Sequence, residues 1–337
     1  MKKPITIKDI AEKLQVSVAT VSRALRNSPE IKKETKQAVL KMAKELDYHP
    51  NLLASSLSSK KTKILGVVVP TINRFFWSNS ISGIESIAYK QGYKVMIFQS
   101  GESYKKEVEI VETLANSRVD GIIIAFSKET SNYDHIQHII DRGIPVLLFE
   151  RVCKELNTCK IMTDDLAGSF EIVTHLIQSG RKKIAYLGGP LSLGVCQERL
   201  KGYQEAMGRH GLEIYPQLQI ELEDFSYELA EESIQKIWNQ PIRPDAIFCF
   251  ADILAIGVLH AAQKMKIKVP EELAIAGFGN DITGRFISPS ITTMGQPSFE
   301  MGEMAAEMLL ETILEELEIP DCRIEIIKPG LIIREST

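Results

Sequence analysis

The chain has 337 residues, of which 44% are hydrophobic and 25% charged, a composition that predicts two or three globular domains. No apolar run reaches the roughly 18–20 residues that span a bilayer, and no apolar stretch follows the two lysines at the start. We therefore expect neither a membrane anchor nor a secretory signal. The five cysteines form no C-x-x-C pair, which argues against a zinc site and suits a reducing cytoplasm.

Charge is distributed unevenly along the chain. Residues 1–63 contain 14 Lys and Arg against 6 Asp and Glu, a net charge of +8, whereas the remaining residues carry a net charge of −12. A basic head on an acidic body predicts a polyanionic partner for the head alone. The alternative, a solvated lysine-rich tail, is disfavoured because the head carries helical patterning.

Apolar stripes predict three short helices in residues 1–49. The first covers 6–14, with Thr6 as its cap and Asp9 three residues further on. Ser17 caps the second, over 18–25, and a third fits 32–47. A tight turn between the first two helices is typical of a helix-turn-helix, although a generic three-helix bundle has the same pattern.

In a helix-turn-helix the second helix enters the major groove of DNA and its first residues contact base edges. The candidate base contacts here are Ser17, Val18, Ala19, Ser22 and Arg23. The fork of Arg23 can pair with guanine O6 and N7. Candidate phosphate contacts, which set register rather than sequence, are Thr6, Thr20, Ser22 and the lysines.

The segment TIKDIAEKLQVSVATVSRAL, residues 6–25, resembles the opening signature T-x-x-D-[VI]-A and V-S-x-x-T-V-S-R of the LacI/GalR family of transcriptional regulators. The resemblance places Val18, Ala19 and Arg23 at the family's base-contacting positions. Gln15 departs from it, because the family has glycine in this turn, and a non-glycine residue in a left-handed conformation costs about 1–2 kcal/mol.

Residues 50–62 form the predicted hinge. By pattern alone they are a linker with a marginal helical turn. Their Y-x-P-N-x-x-A-x-x-L spacing resembles the family's hinge helix, which folds when two copies pair on DNA. The resemblance implies that Asn51, Ala54 and Leu57 contact DNA, with Leu57 wedged into the minor groove.

From residue 63 onward, apolar strand-like runs alternate with helical stretches. The strand candidates are 64–70, 93–98, 119–126, 144–149, 182–188, 245–250 and 273–278. Continuous apolar runs of this kind predict parallel strands covered on both faces, in a doubly wound α/β fold. The resemblance continues through this region and implies a two-lobed, type I periplasmic-binding-protein-like sensor. We expect an N-lobe of 63–161 and about 292–323, and a C-lobe of 162–291 and about 324–337.

Ligands of open α/β sheets bind beyond the carboxyl ends of the strands. The resemblance implies an effector pocket formed by Phe75, Phe76, Glu150, Asp164, Arg199, Phe225 and Asp252. An arginine fork and carboxylates around an aromatic platform suit a sugar. Ordinary roles are also open: Phe75 and Phe76 as core, Arg199 in a surface ion pair, and Asp252 as a helix cap.

Two positions depart from the family's pocket. Ala251 stands where the family has asparagine, and Gly279 where it has aspartate. Both replacements remove a polar side chain, so we expect a sugar that is modified, larger or more apolar, or else control by a non-sugar metabolite or a protein co-regulator.

Motifs of enzymes are absent from the sequence: there is no P-loop, G-x-G-x-x-G, G-x-S-x-G or H-E-x-x-H. We expect no cofactor and no metal, and we expect His135 and His138 to lie on a solvated helix face. A solute-binding protein or a sugar-acting enzyme is the alternative of a different class.

No leucine heptad follows the last strand-like run, so we expect a homodimer on a pseudo-palindromic operator in the cytoplasm.

Overall fold

The computed structural model describes residues 5–25, 27–48, 61–314 and 323–337. It divides into two compact units, Met1–Thr62 and Lys63–Thr337, called the head and the body below. The predicted hinge residues Asn51, Ala54 and Leu57 lie outside the described residues. No helix in the described part of the chain is long and apolar enough to cross a membrane.

The head contains the three predicted helices, α1 (Ile7–Leu14), α2 (Val18–Leu25) and α3 (Lys33–Glu45). Their apolar stripes meet in one core formed by Ile10, Ala11, Val21, Ala24, Val39 and Ala43. Gln15 ends α1 in the left-handed conformation, with φ 50° and ψ 41°, so the strained turn expected from the sequence is present. The helix-turn-helix prediction is confirmed.

The body begins with β1 (Ile64–Val69), α4 (Phe75–Lys90), β2 (Lys94–Gln99), α5 (Tyr104–Asn116), β3 (Gly121–Ile124), α6 (Asp134–Asp141), β4 (Val146–Phe149) and β5 (Cys159–Thr163). Together with a late strand, β11 (Ile324–Ile327), these strands form a parallel sheet in the order β11-β5-β4-β3-β1-β2.

The second half continues with α7 (Asp165–Gln178), β6 (Ile184–Gly188), α8 (Gly194–Arg209), β7 (Gln219–Glu221), α9 (Tyr227–Trp238), β8 (Ala246–Cys249), α10 (Asp252–Lys264), β9 (Ala274–Phe278), α11 (Ile282–Phe286), β10 (Thr292–Gly295), α12 (Ser298–Leu314) and, after β11, β12 (Gly330–Ile332). A second sheet runs β12-β10-β9-β8-β6-β7, in which only β12 is antiparallel among the described strands.

Chain crossings between the sheets differ from the expected lobe boundaries. β5 extends the first sheet to Thr163, β10 at 292–295 belongs to the second sheet, and β11 at 324–327 returns to the first. The sheets therefore place the crossings a few residues from the boundaries expected at 161, about 292 and about 323. We define the N-lobe as 63–163, 298–314 and 323–327, and the C-lobe as 165–295 and 330–337.

The crossings have local causes. Pro329 separates β11 from β12, and β12 pairs antiparallel with β10 of the other sheet. The helix after the second crossing, α12, returns to the N-lobe and packs on α4, where Gly83 and Gly302 face the backbone carbonyls of Phe299 and Ser80. A side chain at either glycine would collide with backbone, so this packing requires glycine.

Two expectations from the sequence were wrong. β2 is not covered on both faces: it is an edge strand, with Met96 and Ile97 37% and 43% exposed. His135 is not solvated: its ring is buried, with Nε2 3.0 Å from Glu107 Oε1. Apolar periodicity could show neither the edge position of β2 nor the buried carboxylate beside His135.

Candidate functional site

In the head, side-chain caps hold the helix-turn-helix together. Thr6 donates to Asp9 Oδ2 from its backbone N–H (2.6 Å) and its hydroxyl (2.7 Å) at the start of α1. The Ser17 hydroxyl accepts from the Thr20 N–H at 3.0 Å and lies 2.8 Å from the Thr20 hydroxyl. Both caps predicted from the sequence are thus present, and they fix where α2 begins.

The first turn of α2 is exposed. Ser17, Val18, Ala19 and Arg23 are open to solvent, whereas Thr20 and Ser22 are half-buried. Arg23 carries only one ion pair among the described residues, 3.4 Å from Glu30 Oε2, and both side chains are more than half exposed. Such a surface pair is weak, so it does not keep the guanidinium from contacting another partner.

In the body, a cavity of about 310 Å³ lies between the lobes. Its walls include residues that directly follow β1, β4, β8 and β9, namely Pro70, Glu150, Phe250 and Gly279. This is the position expected for a ligand site at the carboxyl ends of parallel strands. The cavity thus lies where the sequence predicts the effector site, and its use as that site stays a prediction.

Arg199, on α8, lies at the base of this cavity and is 4% exposed. Its Nε donates to Asp165 Oδ1 at 2.6 Å, its Nη1 donates to the Phe250 carbonyl at 2.7 Å, and its Nη2 is 3.6 Å from Glu150 Oε1. Its guanidinium stacks on the ring of Phe278, 3.6 Å from the centroid. Arg199 is therefore a buried cation held by both lobes, and the surface ion pair considered from the sequence is wrong.

Two carboxylates share this one cation. Burial raises the pKa of Asp165, and the nearby charge of Glu150 raises it further, while Arg199 opposes both effects. Glu150 itself, at φ 61°, accepts from the Thr163 N–H and hydroxyl and from Gln296 Nε2 at 2.6 Å. The hydrogen bonds hold Glu150 in place from two chain crossings, 163–164 and 296–297.

Asp252 also lines the cavity. Its Oδ1 accepts from the Thr293 hydroxyl at 2.7 Å and its Oδ2 from the Asp281 N–H at 2.6 Å, so it ties β10 and α11 together and does not cap α10. Burial raises its pKa to about 6, against the lowering effect of these two hydrogen bonds.

Aromatic rings line much of the remaining surface. Phe225 stacks on Phe250 with centroids 4.9 Å apart and an interplanar angle of 21°. Phe75 and Phe76 are half-buried and also line the cavity, and Phe76 packs edge-on against Trp77 at 4.9 Å. The sequence left open whether Phe75 and Phe76 belong to the pocket or to the core. Both line the cavity, and Phe76 also packs against the N-lobe core.

The sequence of the chain matches known protein families and curated proteins. Residues 6–51 match the family described as bacterial regulatory proteins, lacI family, and residues 173–337 match a periplasmic binding protein-like domain. Catabolite control protein A of Priestia megaterium is 32% identical over 313 residues, which cover 93% of each chain. The chain belongs to the lacI family of bacterial regulatory proteins. It is therefore a DNA-binding transcription regulator and not an enzyme.

Solved structures agree with this membership. The lac repressor dimer bound to operator and the anti-inducer ONPF has the same fold, with a TM-score of 0.88 at 23% identity over 99% of both chains. A periplasmic binding protein/LacI transcriptional regulator from Alkaliphilus metalliredigens QYMF, complexed with D-xylulofuranose, is 31% identical with a TM-score of 0.72 and covers 82% of this chain and 99% of that one.

Of the seven pocket residues implied by the family resemblance, six line the cavity: Phe75, Phe76, Glu150, Arg199, Phe225 and Asp252. Asp164 does not. It caps α7, where its side chain accepts from the Ala167 N–H at 3.0 Å, and the next residue, Asp165, takes the place beside Arg199. A shift of one residue at the start of a helix turns the side chain by about 100°.

Sequence reasoning missed other lining residues of this lacI-family cavity. Arg151 forms two hydrogen bonds to Glu102, at 2.7 and 2.9 Å, and Gln296 contacts Glu150. Arg151 is the second residue after β4 and Gln296 is the first after β10, so position after a strand was the available signal; β10 was not among the predicted strands. Within the described residues, no group of His, Cys, Asp and Glu is arranged to hold a metal ion.

Proposed function

We propose that the chain is a repressor that binds a pseudo-palindromic operator as a homodimer. Its affinity for the operator falls or rises when a small, uncharged sugar or sugar derivative occupies the cavity. The observation that carries the proposal is the buried Arg199, which lines the cavity and joins Glu150 of the N-lobe to Asp165 of the C-lobe. A ligand that contacts this cluster differently in two lobe arrangements would shift the balance between them.

Charge argues for an uncharged effector. Among the described lining residues, five are carboxylates (Glu102, Glu150, Asp224, Asp252 and Asp281) and three are arginines (Arg74, Arg151 and Arg199). Arg151 and Arg199 are already hydrogen-bonded to protein carboxylates. A phosphate would therefore enter a site in which two of the three arginines are already paired with carboxylates and the net charge is negative.

Shape and polarity argue for a sugar-like body. Phe225 offers an aromatic face, Gln296 Oε1 adds a polar group beside Gly279, and Asn73 adds another elsewhere in the lining. The relative bound to D-xylulofuranose, at 31% identity, supports the same class of ligand. We further propose that the protein acts in the cytoplasm, where a bacterial operator is accessible.

In the head, we propose that Ser17, Val18, Ala19 and Arg23 contact base edges, that Thr6 and Thr20 lie closest to the phosphates, and that Ser22 can contact either. The exposed first turn of α2 supports this assignment. The exposed apolar side chains on β2 support a dimer through the edge of the N-lobe sheet.

A thermal-shift screen of the full-length protein tests the effector class. Neutral mono- and disaccharides are compared with the matching sugar phosphates. A ligand at about 100 times its Kd stabilises the folded state by about 2.7 kcal/mol. We expect hits among the neutral sugars, followed by a change in operator affinity in the presence of the hit.

Two variants make the screen specific to the cavity. Phe225→Leu removes the aromatic platform and should abolish the shift, whereas Phe286→Leu, on an exposed side chain of the same lobe, should retain it. Hits confined to phosphates would contradict the proposed uncharged ligand. No hit, with operator binding intact, would favour a protein co-regulator instead.

A further inference from the structure

The segment of residues 223–225, between β7 and α9, forms part of the cavity roof. Asp224 and Phe225 both line the cavity, and the Phe225 ring is continuous with Phe250, on which Arg199 also stacks at 4.3 Å. The position of this C-lobe segment therefore sets the position of the aromatic platform.

Two cations of the N-lobe hold the 223–225 segment from across the cleft. Lys128 Nζ donates to the Glu223 carbonyl at 3.0 Å and lies 3.8 Å from Asp224 Oδ1. Arg74, at the start of α4, donates from Nη2 to the Phe225 carbonyl. The C-lobe also donates to the N-lobe here, because the Ser192 hydroxyl donates to the Lys128 carbonyl at 3.1 Å.

Lys128 is also tied to the cavity wall of its own lobe. Its N–H donates to Glu102 Oε2 at 2.8 Å, and the same carboxylate binds Arg151, which lines the cavity. The neighbouring Ser127 N–H donates to the buried Glu107 at 2.6 Å. The loop that presents Lys128 is thus fixed at its base and connected to the cavity through one carboxylate.

We propose that Lys128 and Arg74 are positioning residues, which clasp the 223–225 segment and hold Phe225 over the cavity. They act through Phe225 and need not touch the effector. The benefit to effector binding rests on the proposed function, but the clasp itself can be tested with no ligand present. Surface ion pairs alone stabilise little, and the clasp differs because both cations donate to backbone carbonyls of one short segment.

Trp77 is a reporter for the clasp. It lines the cavity and is 7% exposed, and the sequence contains only one other tryptophan, Trp238. In a Trp238→Phe background of the full-length protein, acrylamide quenching reports access to Trp77 alone. We expect Lys128→Met with Arg74→Met to raise the quenching constant at least about two-fold, because the lobes separate more often.

The matched control is Lys105→Met with Arg142→Met, which removes the same charges from exposed positions on the same lobe and should leave quenching unchanged. Ser192→Ala with Asp224→Asn removes the two side-chain contacts of the C-lobe with Lys128 but leaves both carbonyl contacts, so it should raise quenching in the same direction by less. Should the first pair fail to fold, by circular dichroism, Lys128→Met alone decides. Unchanged quenching in a folded clasp variant would overturn the proposal.

The effector screen separates the two ideas. Raised quenching in the clasp variants, together with a screen in which no sugar stabilises the protein, would keep the clasp and reject the effector class. A sugar that stabilises the protein, with quenching unchanged in the clasp variants, would keep the effector and reject the clasp. If both hold, the sugar should dissociate faster from the Lys128→Met, Arg74→Met protein.

Discussion

Arg199 shows how one residue can join two lobes and a ligand site. Its planar guanidinium has five N–H donors and uses them on Asp165, on the Phe250 carbonyl and towards Glu150, and it lies 4.3 and 3.6 Å from the ring centroids of Phe250 and Phe278. Lysine could not reproduce this, because it has neither the planar fork nor the stacking face. The requirement for arginine is therefore geometric as well as electrostatic.

Replacing Arg199 with Met should destabilise the fold by about 3–5 kcal/mol, because Glu150 and Asp165 would remain buried without their cation. Adding Asp165→Asn should recover part of the loss. Urea unfolding of the full-length chain measures both. The control is Arg209→Met. Arg209 is an exposed arginine on the same helix as Arg199 and stacks on Phe170, so its replacement should cost no more than about 1 kcal/mol. Equal losses in the two single variants would show that the buried cluster contributes nothing special.

At this scale the sequence predicted residue types better than residue positions. Six residues that line the cavity were named from the family resemblance of short motifs along the chain. Asp164 was misplaced because sequence cannot show which of two adjacent aspartates begins α7 and which faces inward. The bidentate Glu102–Arg151 pair joins positions 49 residues apart, and nothing local in the sequence signals that contact.

At the scale of elements, long apolar runs and caps were predicted well and short strands poorly. α2 has the predicted bounds, and the strand candidates between 64 and 278 all contain strands. β5, β7, β10 and β11 were not among them. β7 spans three residues, and β11 alternates exposed and half-buried residues, so neither gives the continuous apolar pattern on which the prediction relied.

α2 is also the element on which DNA specificity should depend. Arg23→Ala should weaken binding to the selected operator by about 1–3 kcal/mol and leave binding to a scrambled duplex nearly unchanged, if the guanidinium contacts a base edge. Fluorescence anisotropy at one fixed salt concentration compares the two duplexes. Glu30→Ala breaks the same surface ion pair but keeps the guanidinium, so it should not weaken operator binding. An equal loss on both duplexes would assign Arg23 to phosphate instead.

For the whole molecule, the exposed edges of the N-lobe sheet bear on assembly. β2 lies at one edge, with Met96 and Ile97 exposed, and apolar surface continues beside it: Ile72 donates its N–H to Gln99 of β2, and Tyr89 lies under Lys94. An unpaired edge that presents apolar side chains invites association. β11 at the other edge also exposes isoleucines, Ile324 and Ile326, and so offers a matched comparison within one sheet.

Met96→Lys with Ile97→Lys should convert the dimer to a monomer of 37.7 kDa in sedimentation velocity, because two lysines on each copy would oppose each other across the contact. Affinity for a full pseudo-palindrome should fall with it, since two heads on one dimer raise each other's effective concentration at paired half-sites. Binding to a single half-site should not change, because the substitutions lie outside the head. Ile324→Lys with Ile326→Lys adds the same charge at the opposite edge and should leave the dimer intact. Loss of the dimer in that control, with retention in the β2 variant, would place the contact on β11 and overturn the assignment of β2.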